Sequence, residues 1–485
     1  MKRFLLTLGL VGCAHRAPLP SPSMPLVATS RLEFPQRPRI SEPPSPVELP
    51  AIESYRLANG LSVLVVPRPG TRGVTMRYAA GQGGVQGLDE QGWSALARRV
   101  AQRAVLESPI EVALTCRAAG TLSGSWLELD TRKEDLPSAL RVLVDALAPQ
   151  PIPSEVVGVA VDDQLDELHD ELYYQSELAR RHAHQILYGD EHPFASSLNG
   201  SLSTLKPLTV EGLGEYKALA FAPEHSALVI VGDLDAATLP AQLAQAFAAL
   251  PASGRKLMGP PKAQAEPSKN VRGLLTAGRT AYVMFSYRAP AQDSADDAPF
   301  QLLSLLTGDL SASRLHQALR EQGALTYSVD ASVAQRRGGA TFDIETQVEP
   351  ESLLKALRVI DVELARLRDQ LVSDDELALA KLQARESFAQ RLEDDAQLVA
   401  MLGQDFTLQG RSFAEAPTDL LRKQLDAFDA VTSEQLRDVA RRYLQPAQRA
   451  AAVAGPLHKF QFELGRWYEG SIDFFAPKRI ADYLE

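Results

Sequence analysis

Eight histidines, two cysteines and 61 carboxylates are the residues with which this 485-residue chain could bind a metal, share a proton or form a nucleophile. Spacing removes most of them. His182 and His184 lie two apart in a helical stretch, so they point to different faces. His169 stands between Glu167 and Glu171, which on a helix reads as a solvated acidic face. His192 precedes a proline in a loop, and His225, His316 and His458 are isolated. No Gly-rich phosphate loop follows a strand, and no Ser-His-Asp or Cys-His group can be assembled from the sequence. Cys116 sits in an apolar-alternating stretch and reads as core. What remains is one helix, from Gly92 to about Leu106. Trp93, Leu96, Ala97, Val100 and Ala104 share its buried face, and Ala95, Arg98, Arg99 and Gln102 its opposite face. The two arginines are charged donors with no lone pair to offer a metal.

The elements that position this helix follow from periodicity. Tyr55–Val66 reads as strand, Asn59-Gly60 turn, strand; Val74–Ala79 is a strand leading into the Gly-rich approach to the helix. Ala113–Asp130 alternates like a strand pair, Asp135–Leu147 is a helix, and Ser154–Leu187 reads as one long acidic helix. Thr209 caps a further helix before the buried strand Leu228–Asp233. After a Pro/Ser/Gly linker the plan repeats, with a strand at Tyr282–Tyr287, a helix from Pro299, paired strands over Ala331–Gln347 and helices at Glu351–Arg368 and Asp374–Arg391. Thr209, Pro223 and Gly232 recur at Thr432, Pro446 and Gly455 with one offset of 223 positions, which points to an internal duplication. The expectation is an α+β protein of two homologous domains, each a mostly antiparallel sheet packed with helices, together forming a clam-shell. The domains span 51–250 and 271–485, with the linker at 251–270.

The termini and totals bound the function. Lys2, Arg3 and the apolar run Phe4–Val11 form a signal peptide over 1–12. Leu10-Val11-Gly12-Cys13 resembles a bacterial lipobox, which implies cleavage before Cys13 and acylation of its thiol; Ala14 in the next position favours the outer membrane. An ordinary signal peptide with an incidental cysteine is the alternative. With Cys13 acylated, Cys116 has no disulfide partner. Residues 13–50 hold ten prolines, the composition of an extended tether. A net charge of −11 argues against nucleic acid, and no apolar run of about 18 residues follows the leader.

Several stretches carry a family resemblance. They are Asn59-Gly60-Leu61, Gly92 ahead of the focal helix, Leu187-Tyr188-Gly189 with His192-Pro193-Phe194 and Gly200, and Phe221-Ala222-Pro223 leading to Val231-Gly232-Asp233. The most specific is Ser313-Arg314-Leu315, Leu319-Arg320-Glu321 and Tyr327-Ser328. In this order the stretches resemble the pitrilysin/insulinase family of inverted-motif zinc peptidases, in its processing-peptidase-like branch, over roughly 50–475. Active members carry H-x-x-E-H on the focal helix, two histidines one turn apart holding Zn²⁺ and a glutamate as general base, with a third ligand from the long acidic helix. The matching positions here are Ala95, Arg98 and Arg99, and only the third-ligand region keeps carboxylates, at Asp166, Glu167 and Glu171. The family zinc is therefore expected to be absent, leaving no catalytic residue and no cofactor.

The resemblance also implies that Arg320 and Tyr327 contact substrate near the scissile bond, an arginine holding a carbonyl or carboxylate and a tyrosyl hydroxyl donating to an oxyanion. Arg320 closing a helix end and Tyr327 packing in a strand is the structural alternative. Gly308-Asp309-Leu310-Ser311 lacks the long glycine run of some non-catalytic processing subunits. The expected function is a non-catalytic, lipid-anchored subunit at the cell envelope, facing the periplasm, that pairs with a zinc-bearing homologue as a heterodimer around a peptide substrate. A stand-alone envelope peptide-binding or assembly lipoprotein is the alternative, and a solitary peptidase with displaced ligands a third reading. The seven aromatics after residue 459 suggest packing on the second domain, or a docking surface.

Overall fold

Alternating apolar residues build two sheets of six strands each in the computed structural model of the chain. It describes residues 46–475 except 82, 84–87, 172, 257–258, 260–269, 293, 310, 410–415 and 469. Cys13, the leader, nearly all of the tether, most of the linker and Tyr483 lie outside the described residues.

The first sheet contains β1 (Glu53–Arg56), β2 (Ser62–Pro67), β3 (Gly73–Ala80), β4 (Leu114–Gly120), β5 (Ser125–Arg132) and β6 (Ser226–Gly232), in the order β1-β2-β6-β3-β5-β4. Only β2 and β6 pair in parallel. Both are continuous apolar runs buried on both faces, as strands covered front and back must be. The helices of this half are α1 (Trp93–Leu106), α2 (Leu136–Leu147), α3 (Ser154–Glu171), α4 (Gln175–Tyr188), α5 (Leu202–Leu205), α6 (Val210–Ala220) and α7 (Leu239–Phe247). Met76, Tyr78, Leu127 and Ile230 on one sheet face meet Leu96, Leu143, Leu213 and Phe247 of the helices in a single core.

The second sheet contains β7 (Val271–Leu275), β8 (Ala281–Ala289), β9 (Thr326–Arg336), β10 (Gly339–Val348), β11 (Ala450–Gly455) and β12 (Ile472–Phe475), in the order β12-β7-β11-β8-β10-β9. Its helices are α8 (Asp297–Ser304), α9 (Leu353–Asp369), α10 (Asp374–Glu393), α11 (Asp395–Gln409), α12 (Pro417–Ala430), α13 (Ser433–Tyr443) and α14 (Leu457–Trp467). The offset of 223 places α6 on α13 from end to end and Gly232 on Gly455. Thr209 and Thr432 both cap their helices, accepting from the backbone N–H groups of Gly212 and Gln435. Five strands of each sheet share one pairing plan; the sixth differs. β1 precedes the first sheet and pairs antiparallel with β2, whereas β12 follows the second and pairs parallel with β7.

Three expectations change. Order begins before residue 51: Val47, Leu49 and Ile52 pack on a core beside Leu64 and Val231. The acidic helix over 154–187 is two helices. Val157, Ala160, Gln164 and Leu168 of α3 face the first domain, while Leu178, Ala179 and Ala183 of α4 face the second sheet, so the chain must turn between them. Finally, α1 is packed on more than one side: Ala95 is fully buried, and Ala104 is exposed.

The two halves exchange helices. α4 crosses to the back of the second sheet, where Leu178, Ala179 and Ala183 meet Leu274, Met284, Ala452 and Ala454. α11 returns to the back of the first sheet, where Leu398, Val399, Leu402 and Phe406 meet Leu64, Val66, Val229 and Val231. The two domains expected to form a clam-shell are thus joined through two shared cores. Arg337, in the β9–β10 turn, fastens the same seam. Its guanidinium donates to the carbonyls of Gly81, Ser123 and Thr407, and its own N–H donates to Ser123 Oγ at 2.8 Å.

At the C-terminus packing dominates. Trp467 stacks on Phe285 with centroids 5.5 Å apart, and its indole N–H donates to Asp361. Phe460 is buried and Phe475 lies against His182, whereas Phe462 stays exposed. No helix among the described residues is long and apolar enough to cross a membrane.

Candidate functional site

α1 begins at Gly92, whose φ of 87° lies in the left-handed region. A Cβ there would stand 2.6 Å from the Asn199 carbonyl oxygen, so only glycine admits the 199–200 loop. Gln164 of α3 ties the two together, its amide donating to the carbonyls of Gly92 at 2.9 Å and Asn199 at 2.8 Å. This fixes the face of α1 that meets α3, and the expected metal positions lie there.

Ala95 is buried and brings no donor atom. The Arg99 guanidinium donates to Glu167 of α3 in an ion pair, with Glu167 about half exposed. Arg98 turns inward, its Nη1 buried without a hydrogen-bond partner and pressed against Gly120 of β4. Burial, reinforced by the neighbouring Arg99 charge, pushes the Arg98 guanidinium down to about 10. Glu171 is committed elsewhere, accepting from Ser197 Oγ and Asn199 Nδ2, each at 2.8 Å. Asp166 is exposed. A zinc ion does not fit: one position has no ligand atom, two hold cations, and the carboxylate that could serve is already paired.

Arg320 and Tyr327 are brought together. Arg320 closes the wide turn His316–Glu321, and its guanidinium lies 5.0 Å from the Tyr327 ring centroid, a cation–π stack. It also donates to His316 Nε2 at 3.2 Å. Tyr327 is 83% exposed, so the ring does not pack in the strand. The pair does not sit beside α1. A cavity of about 310 Å³ is walled by Gly120–Leu122, Glu171, α4, residues 194–198 and Ala334–Arg336 at the far end of β9. Tyr327 is nine residues from Arg336 along β9, on the order of 30 Å of extended chain.

Sequence reasoning missed the polar group inside that seam. His184 of α4 sets Nε2 3.0 and 3.1 Å from the two oxygens of buried Asp343, and Ser286 Oγ donates to the same carboxylate. Burial works to raise the Asp343 carboxyl, but the His184 and Ser286 bonds outweigh it and hold it below its usual range. The carboxylate is the middle member. Serine and histidine both donate to it, so the histidine is no base for the serine and the cluster is not a nucleophilic triad. His182, one turn-face away, accepts from Arg272 at 2.7 Å, and burial with the Arg272 charge pushes it down to about 3. No sequence signal links residues 159 positions apart, as His184 and Asp343 are.

Residues 207–384 match the family model described as the peptidase M16 inactive domain. An uncharacterised zinc protease of Mycobacterium tuberculosis is 24% identical over 56% of this chain and 60% of its own length. One from Streptomyces coelicolor is 24% identical over 68% and 70%. Over these stretches the chain is similar to M16 peptidases. Its fold is that of solved M16-like structures: a peptidase M16 inactive domain from Pseudomonas fluorescens superimposes with a TM-score of 0.75 at 21% identity, covering 84% of this chain and 98% of the other. A protease from Helicobacter pylori gives 0.74 at 17%, covering 84% and 100%. A chain of complex III from Candida albicans gives 0.71 at 13%, covering 86% and 100%. These matches agree with the resemblance read from the sequence, and the M16 model begins at residue 207, just ahead of α6. The mycobacterial match spans about three-fifths of that relative. The matched model is described as an inactive domain, which supports a non-catalytic M16-like chain.

Proposed function

We infer that the chain is a non-catalytic subunit that pairs with a zinc-bearing homologue and lends Arg320 and Tyr327 to the partner's peptide site. The observation that carries this reading is the placement of that pair. It is pre-stacked, exposed, and on the order of 30 Å of strand away from Arg336, where β9 walls the chain's own cavity between α4 and residues 194–198. A substrate-contacting pair so placed serves a site on another polypeptide. Supporting it, the M16 relatives are named zinc proteases, and the Candida neighbour is a chain of a multi-subunit complex. In such a pair the guanidinium would hold a substrate carbonyl and the phenol would donate to the developing oxyanion. Acylation of Cys13 would keep the assembly on the envelope membrane, facing the periplasm, with residues 14–50 as its tether.

The test is reconstitution with a zinc-bearing homologue from the same cell. Arg320→Ala and Tyr327→Phe are each expected to lower peptidase turnover of the mixture by at least tenfold while leaving the complex intact on gel filtration. Unchanged turnover sinks the subunit reading, and peptide binding without any peptidase complex would leave the stand-alone peptide-binding lipoprotein in its place. Cys13→Ser should move the protein from the membrane fraction to the soluble fraction.

A further inference from the structure

A second cavity, of about 430 Å³, lies in the C-terminal half under α8, β9 and the helices α10–α12, away from α1 and from the exchanged helix α4. Three of its wall residues carry buried polar atoms with no hydrogen-bond partner: Gln292 Oε1, Gln335 Oε1 and Arg391 Nε. The amide orientations are not arbitrary. Gln292 Nε2 donates to Asp405 Oδ1 at 2.7 Å and Gln335 Nε2 to Asp297 Oδ1 at 3.0 Å. A carboxylate can only accept, so the nitrogen must face it and the carbonyl oxygen is left unsatisfied. A buried polar atom left without a partner is costly; three in one cavity mark a place built for a polar guest. The wall also contains the wide turn Leu305–Asp309, an i→i+5 irregularity of the kind that recurs at functional sites.

We propose that this cavity binds a small α-amino-acid-type zwitterion with an apolar side chain, a free amino acid or dipeptide. The two vacant carbonyl oxygens and the Asp309 carboxylate call for a multiple N–H donor, which an ammonium supplies. Arg391 Nε calls for an acceptor, which a carboxylate supplies. Val333, Met401 and Phe428 on the same wall offer the apolar surface for the side chain. The volume falls within the range of about 300–1,000 Å³ typical of small-molecule sites. This site is independent of the pairing of subunits.

The experiment is calorimetric titration of the full chain with L-leucine and with glycyl-L-leucine, beside N-acetyl-L-leucine amide, which lacks both charges. At least one zwitterion is expected to bind, with the capped compound at least tenfold weaker. Gln335→Leu and Arg391→Met should each weaken binding at least tenfold with an unchanged circular dichroism spectrum. No binding of either zwitterion at millimolar concentration overturns the proposal, as does equal binding of the capped compound or undiminished binding by both variants. The capped-compound comparison uses the unaltered protein, so it decides the matter even where a variant fails to fold.

Discussion

α4 and α11 occupy matching places in the duplicated plan, and each covers the back of the other domain's sheet, but they do so with different chemistry. α11 is held by hydrophobic burial: Leu398, Val399, Leu402 and Phe406 press on four valines and leucines of the first sheet. α4 brings only Leu178, Ala179 and Ala183 to the second sheet and is held by polar ties. Arg180 reaches Glu345 at 3.1 Å, Tyr188 meets Thr341 at 2.6 Å, Arg288 donates to the Leu187 carbonyl at 2.8 Å, and His184 bonds Asp343. Burial is non-directional and tolerates small shifts, whereas these bonds need their geometry. The α4 seam is therefore the one that responds to pH and to single polar changes. It is also the seam that walls the cavity bounded by Gly120–Leu122 and residues 194–198.

The sharpest way to break this contrast is at the apolar end. Phe406→Ala empties a side chain only 5% exposed and should cost about 3–5 kcal/mol, read from the urea midpoint. A cost under ~1 kcal/mol would mean that α11 is not fixed by burial. At the polar end, Asp343→Asn keeps the shape and removes the charge shared by His184 and Ser286. About 1.5–3 kcal/mol is expected, and a neutral result would show that the polar ties hold nothing.

The pH dependence comes next. His182 on α4 titrates at about 3 when folded, against an ordinary value of 6.5. Between those values the unfolded chain binds the extra proton, so stability should fall as pH drops from 6.5 towards 3 and rise again as pH is restored. His182→Gln should flatten that slope in acid denaturation curves; an unchanged slope assigns it to other groups. The smallest effect belongs to Arg99→Ala. Its pairing with a half-exposed Glu167 makes a loss below about 1 kcal/mol the expectation, and a larger loss would make this ion pair a structural replacement for metal.

Much of the architecture was legible. The 223-residue offset foretold the matched α6 and α13, and Thr209 announced a cap that the backbone shows and that Thr432 repeats. These are local signals, carried by periodicity and capping chemistry. The helix α11 was not seen because it is buried on several sides, with Leu398, Met401, Gly403, Phe406 and Leu408 all covered, so no single apolar stripe marks it. The break before α4 was hidden because both helices are good helix formers; only the change of partner separates them. At the site, the residue types at 95, 98 and 99 offer no metal ligand in sequence or in structure. The meeting of Arg99 with Glu167 joins residues 68 positions apart on two helices and needed coordinates. His184 with Asp343, and the carbonyls around Arg337, join residues far apart in sequence, and nothing local encodes such pairs.

The exchange of helices has a consequence for the order in which the chain is made. When α4 leaves the ribosome its partner strand β11 is still 262 residues away, counting from Tyr188 to Ala450, which at about 5–20 residues per second is on the order of 15–50 s. For most of that interval the back of the first sheet also waits for α11, which ends at Gln409. The nascent first half therefore presents two uncovered apolar surfaces at once, and a fragment ending at the linker would keep them permanently. A truncation at residue 250 would leave the apolar faces of α4 and of the first sheet without the surfaces that cover them.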